Sequence, residues 1–145
     1  MEARMNISAL APQGYKAVIA METYLHQSGL DKKHIELIKI RASQINGCAF
    51  CINMHTKDAL AMGETAQRIF LLNAWRETSL YSEEERVLLA MTEEITHISH
   101  AGLTEETFKK AKEVFDEAYI ANVVLAIATI NVWNRIAISS LTQPA

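Results

Sequence analysis

The stretch that decides the fold covers residues 36–65 and reads ELIKIRASQINGCAFCINMHTKDALAMGET. Two helical segments are predicted here, separated by Gly47, because glycine readily ends a helix. Asp31 is a good N-cap for the first segment. The second segment runs over about 48–62 and has Gly63 at its C-terminal end. On the first segment the apolar residues form one stripe at helical spacing: Ile35, Ile38, Ala42 and Ile45.

Helical spacing continues on both sides of this stretch. Further helices are predicted at about 13–27, 64–75, 82–95, 104–115 and 117–141. Ser82 and Glu85 have the spacing of a capping box at the start of one of them. Alternating strand patterns with turn residues are absent from the sequence. We therefore predict an all-α, single-domain protein of about seven helices over residues 1–145, with its core at about 15–100.

The C-terminal segment, 117–141, is the most apolar part of the chain. A membrane span needs about 20 consecutive apolar residues, and polar side chains interrupt this run: Asn122, Thr129, Asn131, Asn134 and Arg135. A helix that is apolar on nearly all sides is typical of a central core helix or an oligomer interface. We expect it to serve both purposes, and we expect Asn131, Asn134 and Arg135 to form hydrogen bonds across a subunit interface, with a place in an active-site wall as the alternative.

Composition excludes several classes of protein. The 145 residues are 50% hydrophobic and carry a net charge of -3, with 5 Gly and 2 Pro. Such a chain is neither disordered nor collagen-like, and it lacks the basic patch of a nucleic-acid-binding protein. No signal peptide is recognisable in the first eleven residues. The 2 cysteines stand three positions apart, so a disulfide between them cannot stabilise a small secreted domain by linking distant parts of the chain. We expect a cytoplasmic protein.

The chemistry concentrates in residues 41–57, around Cys48, Cys51 and His55. If a helix begins after Gly47, both cysteines lie in its first turn, where the helix dipole favours thiolate. Their spacing places both sulfurs on one face, close enough to form a disulfide. His55 follows one turn later and could take the thiol proton and return it to a leaving oxygen. This arrangement indicates a redox-active dithiol.

Two other interpretations of these residues exist. The cysteines could be small buried apolar side chains, since free cysteine packs well in a core. They could also bind zinc together with His55, but a structural zinc site normally needs four ligands and the sequence offers no fourth at a suitable spacing. We therefore expect no metal. Nucleotide-binding glycine motifs are absent, so we also expect no cofactor.

Glu36, Cys48, Cys51 and His55 form the pattern E-x11-C-x2-C-x3-H. This pattern and its flanks are similar to the signature of the AhpD-like alkylhydroperoxidases, in the carboxymuconolactone decarboxylase superfamily. Residues 75–96, WRETSLYSEEERVLLAMTEEIT, resemble the usual continuation of that signature. The resemblance covers about 15–100 well and the C-terminal helix more loosely.

The resemblance implies an all-helical homo-oligomer, a trimer or a hexamer, that reduces hydroperoxides through a cysteine sulfenic acid. Cys51 would be the peroxidatic cysteine and Cys48 the resolving one, with His55 and Glu36 as the proton relay. An external dithiol reductant, in the family a lipoyl-bearing protein, would restore the thiols. The helix dipole alone points instead to Cys48 as the more readily ionised thiol, whereas the nearness of His55 favours Cys51.

Glu36 depends on the resemblance for its role. Periodicity places it on a helix, where most glutamates are solvated, and does not bring it to the thiols. One position departs from the family pattern: Phe50 stands where well-characterised peroxidases of the family carry a second histidine. Decarboxylases of the superfamily generally lack the cysteine pair, so its presence favours a peroxidase.

The leading hypothesis is thus a thiol-dependent peroxidase acting on small organic hydroperoxides. One alternative is a helical oligomer that binds or senses a small apolar ligand, with a dithiol that is not catalytic. Another is an enzyme of the lactone decarboxylase type, which would retain activity without its cysteines. Neither alternative needs Cys51 to react with peroxide.

Overall fold

A computed structural model describes the whole chain, Met1–Ala145. The protein is an all-helical single domain with 74% of its residues in helices, which confirms the predicted fold class. In chain order the helices are α1 (Ile7–Leu10), α2 (Pro12–Gln27), α3 (Lys32–Asn46), α4 (Ala49–Ala61), α5 (Ala66–Phe70), a 3₁₀ helix (Leu72–Glu77), α6 (Glu83–Thr96), α7 (Glu105–Val114) and α8 (Glu117–Ser140).

Helix α3 lies at the centre of the fold and packs against α4, α6 and α8. It begins where the Asp31 carboxylate accepts hydrogen bonds from the backbone N–H groups of Lys33 and His34, and it ends at Gly47, which has a φ of 71°. All six residues from Ile35 to Ile40 are buried. The helix is therefore enclosed on every side, and the polar Glu36 and Lys39 lie inside the protein along with the predicted apolar stripe.

Helix α8 is the second core helix, and it packs against α3, α6 and α2. Val123, Ile127 and Ile130 are fully buried, which confirms the predicted core role. By length and composition this helix could cross a membrane, and 44% of its most apolar window is buried inside the protein. A soluble core helix passes the same test. Leu125 and Ile138 are exposed, and the predicted interface on this helix stays a prediction.

The helix predicted at about 64–75 is interrupted. Helix α5 ends at Phe70 and a separate 3₁₀ helix follows, with Ala74 outside helical geometry. Ile69, Leu72 and Trp75 are the buried residues of this segment. Their spacing of three suits the three residues per turn of a 3₁₀ helix better than the 3.6 of an α-helix. Tertiary burial thus decided the local structure here.

A short N-terminal helix, α1, is absent from the sequence prediction. Asn6 caps it by accepting a hydrogen bond from the Ala9 N–H, and Pro12 disfavours α-helical geometry at the preceding residue, which ends it. The Arg4 N–H donates to the carbonyl of Ser140 (2.8 Å). This bond holds the N-terminal segment against the end of α8.

An ion-pair cluster joins α5 to α6. The Arg68 guanidinium contacts Glu64 (2.7 Å) and Glu85 (2.8 Å), and its pKa is raised, chiefly by the hydrogen bond to Glu85. Burial raises the pKa of the Glu85 carboxyl, but bonds from Arg68 and from the Ser82 N–H, together with the Arg68 charge, bring that pKa below its ordinary value. The folded state therefore favours ionised Glu85.

Replacing Glu85 with glutamine should lower the free energy of unfolding by about 2 kcal/mol at pH 7, because a hydrogen-bonded ion pair is lost. A lowered folded-state pKa adds stability above the unfolded pKa of about 4.3, and this stability is lost as the pH falls through the folded pKa. The difference between wild type and Glu85→Gln should thus be largest at neutral pH and shrink in acid. Urea unfolding across this range measures it. Glu83→Gln, at an exposed position in the same helical turn, is the control. If the difference in free energy of unfolding between wild type and Glu85→Gln stays constant with pH, the lowered pKa of Glu85 is contradicted.

Candidate active site

The junction between α3 and α4 places the two cysteines. Gly47 turns the chain, and the Cys48 N–H donates to the carbonyl of Ser43 (3.0 Å). Cys48 then serves as the N-cap of α4, and its Sγ accepts a hydrogen bond from the Cys51 N–H (3.3 Å). The sequence placed Cys48 inside the first turn, whereas it lies one position before that turn. The Cys48 sulfur therefore caps helix α4 and also takes part in a disulfide.

Cys48 and Cys51 are joined by a disulfide, with their Cα atoms 5.3 Å apart. The i, i+3 spacing predicts such a closure, since it brings two side chains onto one face of a helix. Both residues are almost fully buried. The two cysteines are thus cross-linked locally, within one turn of a helix.

His55 and Glu36 form a buried pair across α4 and α3. Nδ1 of His55 lies 3.0 Å from Oε2 of Glu36, and the two residues are 8% and 3% exposed. In the neutral ring, an Nδ1–H donated to the carboxylate leaves Nε2 as the proton acceptor. His55 follows Cys51 by one helical turn. Glu36, which periodicity alone left on a solvated face, is therefore next to the histidine, as the resemblance implied.

A cavity of about 700 Å³ opens beside this pair. Cys51, His55 and Glu36 line it, but Cys48 does not. Much of its wall is apolar, from Met5, Ile7, Tyr15, Phe50, Met54, Trp133 and Ile136. Phe50, the residue that departs from the family pattern, is thus part of this wall. Of the two cysteines, Cys51 is the one that faces the space in which a small molecule could bind.

An ion pair between buried Lys39 and half-buried Glu22 lines the same cavity and was missed by the sequence analysis. Nζ of Lys39 lies 2.7 Å from Oε2 of Glu22, and Nε1–H of Trp133 donates to Oε1 of the same carboxylate (3.0 Å). Lys39 follows Glu36 by three residues, which places both on one face of α3. That spacing was a usable signal for Lys39, but nothing in the sequence pointed to its partner on α2.

Asp58 is a further residue of the site that the sequence analysis missed. Its Oδ2 lies 4.0 Å from Nδ1 of His55, one turn further along α4, and its side chain is 53% exposed. One ligand atom from each of Glu36, His55 and Asp58 lies within 4.8 Å of the others. The rim of the cavity therefore holds a second carboxylate facing the imidazole.

The asparagines of α8 form hydrogen bonds within the chain. Asn46 Nδ2 donates to the side-chain oxygens of Asn131 and Asn134 (both 2.9 Å), and Asn134 Nδ2 donates to Ser43 Oγ (2.9 Å). Asn134 is fully buried, so the expectation that it bonds across a subunit interface was wrong. Its partners belong to the end of α3, directly before the cysteines. Exposed Arg135 bonds to Asn131.

Trp75 and Arg76 belong to a hydrogen-bonded cluster within the chain. Glu93 accepts hydrogen bonds from Trp75 Nε1 (3.3 Å) and from Arg41 Nη2 (3.1 Å), and it also pairs with Arg76. The Arg76 guanidinium lies over the Trp75 ring. This cluster ties the 3₁₀ helix to α6 and does not line the cavity of the candidate site.

Fold and site together define a class: small helical proteins with a Cys-x-x-Cys pair at the start of a helix, beside a buried histidine–glutamate pair. The family model of the carboxymuconolactone decarboxylase family matches residues 12–94. The chain belongs to this family, and the predicted resemblance to its AhpD-like members is confirmed.

Individual relatives agree with this assignment. The chain is 47% identical over 139 residues to the uncharacterised protein YdfG of Bacillus subtilis (strain 168). The match covers 96% of this chain and 95% of that protein. A crystal structure from Agrobacterium tumefaciens, of a protein of unknown function described as a candidate antioxidant defence protein AhpD, matches with a TM-score of 0.96 and 40% identity over 99% of both chains.

A more distant structure shares the fold alone. It is an uncharacterised, peroxidase-related protein with an AhpD core from Ralstonia eutropha JMP134, with a TM-score of 0.84 and 20% identity. The match covers 95% of this chain and 74% of that one. The helical scaffold is thus shared at low sequence identity.

Proposed function

We propose that the protein is a thiol-dependent peroxidase that reduces small organic hydroperoxides. The observation that carries this proposal is the buried Glu36–His55 pair, 3.0 Å apart, one helical turn from a cysteine that lines an apolar cavity. A thiolate, a base held in one orientation and a water-poor binding space are what peroxide reduction by cysteine needs. Membership of a family with AhpD-like members supports the same activity.

The reaction would run in two steps on the protein. Cys51 thiolate attacks the terminal oxygen of the hydroperoxide, the O–O bond breaks, and the leaving alkoxide takes a proton from His55 to become an alcohol. Cys51 is then a sulfenic acid. The Cys48 thiol attacks its sulfur, which forms the Cys48–Cys51 disulfide and releases water. Two electrons from an external dithiol restore both thiols, and the dithiol becomes a disulfide.

The cavity supports Cys51 as the attacking residue. Cys51 lines it and Cys48 does not, so an incoming peroxide meets Cys51 first. Cys48 lies behind it at the N-cap, within disulfide reach. Although the helix dipole favours Cys48 as the thiolate, access and the nearby His55 both favour Cys51.

The apolar wall supports an organic hydroperoxide as substrate. Phe50, Met54 and Trp133 present apolar surface to the space beside Cys51, and such surface favours alkyl or aryl groups over hydrogen peroxide alone. Because Phe50 replaces a histidine of the family pattern, the wall offers packing where other members offer a proton donor. His55 and Glu36 would then supply the proton transfer by themselves.

Partners and assembly belong to the same proposal. The reductant would be an external dithiol, and a lipoyl-bearing protein is the type to test first. The protein would act in the cytoplasm. It would form a homo-oligomer, a trimer or a hexamer. Large apolar side chains left on the surface, such as Phe70 at 78% exposed, favour association of copies, since exposed apolar patches often mark protein contacts.

Titration with cumene hydroperoxide tests the proposal. Reduced protein should lose two thiols per equivalent of peroxide and gain one intramolecular disulfide, as read by mass spectrometry of alkylated peptides. Adding dihydrolipoamide should restore the thiols and sustain peroxide consumption. Loss of thiols by intermolecular disulfides, or no turnover with any dithiol, would contradict a peroxidase.

A second candidate is a small-molecule binding protein, which the cavity volume of about 700 Å³ favours. Pockets of this size and apolar lining bind compact organic ligands. Such a protein should bind its ligand equally well when Cys48 and Cys51 are both replaced by alanine. A screen of aromatic ligands by thermal shift, on wild type and on this double variant, separates binding from redox chemistry.

A further inference from the structure

We propose that Glu36, His55 and Asp58 form a binding site for a divalent cation of the Zn²⁺ type, at the rim of the cavity. Glu36 is held on α3, and His55 and Asp58 lie one turn apart on α4. Binding of the metal does not depend on the proposed peroxidase function. Its consequence for activity rests on that function.

The distances between the three ligand atoms suit zinc. Nδ1 of His55 lies 3.0 Å from Oε2 of Glu36 and 4.0 Å from Oδ2 of Asp58, and the three ligand atoms span less than 4.8 Å. Zinc binds nitrogen and oxygen at about 2.0–2.2 Å in a tetrahedron, so neighbouring ligand atoms lie about 3.3–3.6 Å apart. The Asp58 oxygen, 4.0 Å from the imidazole nitrogen, must approach that nitrogen by less than one ångström to reach this spacing, and its side chain is 53% exposed.

The charges and donor types select the class of metal. Two carboxylates and a neutral imidazole together balance a double positive charge. An imidazole nitrogen favours zinc and neighbouring transition metals over calcium and magnesium, which prefer oxygen ligands. The nearby Lys39 ammonium is already paired with Glu22 at 2.7 Å, so its repulsion of a bound cation is largely offset.

Three protein ligands leave a fourth position on the metal for water, as in open zinc sites. A metal on Nδ1 replaces the proton that His55 donates to Glu36, so the hydrogen bond at 3.0 Å is lost. The histidine can then no longer pass a proton between Cys51 and a leaving oxygen. If the protein is a peroxidase, zinc bound here inhibits it.

Titration of the oxidised protein with zinc chloride tests the site apart from the thiols, since the Cys48–Cys51 disulfide offers no thiolate. Calorimetry should show one zinc per chain. Asp58→Asn should weaken that binding by about tenfold or more, in line with the loss of one ligand or its close partner. Glu113→Gln, at an exposed carboxylate on α7, should bind as wild type does.

A second control addresses the stacked rings of His97 and His100, 4.8 Å apart on the surface. His97→Gln should leave the zinc affinity unchanged. The proposal is wrong if the oxidised protein binds no zinc, if Asp58→Asn binds as tightly as wild type, or if His97→Gln abolishes binding. In the reduced protein, zinc should slow peroxide consumption, and Asp58→Asn should need about ten times more zinc for the same fractional inhibition. If the protein binds zinc but does not reduce peroxide, the proposed function is wrong and the proposed metal site is supported.

Discussion

Cys51→Ser should abolish the reaction of the protein with organic hydroperoxide, with a rate loss of about 1,000-fold or more, as is usual when a reacting nucleophile is removed. The serine hydroxyl is far less nucleophilic towards a peroxide oxygen than a thiolate is. Cys48 remains in this variant, but it does not line the cavity. Stopped-flow measurement of peroxide consumption by the reduced variant gives the rate.

Cys48→Ser is the matched control because the serine oxygen can accept the Cys51 N–H bond that Cys48 Sγ now accepts and so keeps the cap of α4. This variant should react once with peroxide and stop at a sulfenic acid on residue 51, seen as one added oxygen atom by intact mass. If Cys48→Ser is inert and Cys51→Ser reacts, the two cysteines have the opposite roles. If both variants react at the wild-type rate, the dithiol is not the site of reduction.

Glu36→Gln should slow peroxide reduction by about 100-fold, the lower range for loss of general acid–base catalysis. The amide oxygen can still accept the hydrogen bond from His55, so the local geometry is kept. It carries no charge, however, and does not stabilise the protonated imidazole that forms during proton transfer. The measurement is the second-order rate constant for cumene hydroperoxide at pH 7.

Alkylation by iodoacetamide separates proton transfer from a structural role. Its leaving group is iodide, which needs no proton, whereas the alkoxide from a hydroperoxide does. Glu36→Gln should therefore lose at least about ten times more in peroxide rate than in alkylation rate, given the usual size of acid catalysis. Equal losses in both reactions would mean that Glu36 only holds the site in place. Exposed Glu113→Gln should change neither rate.

The sequence predicted helices best where local signals and burial agree. Asp31 and Gly47 bound α3, and the Ser82 capping box begins α6, as expected. The prediction of a continuous α-helix around Leu72 was wrong, because the burial of Ile69, Leu72 and Trp75 overrides the intrinsic preference for an α-helix. A four-residue helix such as α1 is too short to show a period at all.

The part of the site that lies on a single helix was predictable from the sequence. Cys48, Cys51 and His55 lie within about two turns of α4, so their relative positions follow from helical spacing. Glu36 comes from another helix, and its contact with His55 required knowledge of how α3 packs, which the family resemblance supplied. Glu22, on α2, had neither a local nor a family signal, whereas Asp58 follows His55 by three residues on α4, and that spacing was a usable signal.

Burial of charge in pairs explains why these residues were hard to predict. Glu36 and Lys39 lie on a helix that is enclosed on all sides, where unpaired charges are very costly. Each has a partner from a different element: His55 on α4 and Glu22 on α2. Sequence statistics place glutamate and lysine on the surface, so such pairs become visible only once the helices are packed.

The surroundings of Cys51 should make it a peroxide-reactive thiol. The most direct test is the second-order rate constant of the reduced wild-type protein with cumene hydroperoxide, compared with that of free cysteine at the same pH. We predict that the protein reacts at least about 100 times faster, since acid–base catalysis alone supplies such a factor. A rate constant equal to that of free cysteine would contradict the account.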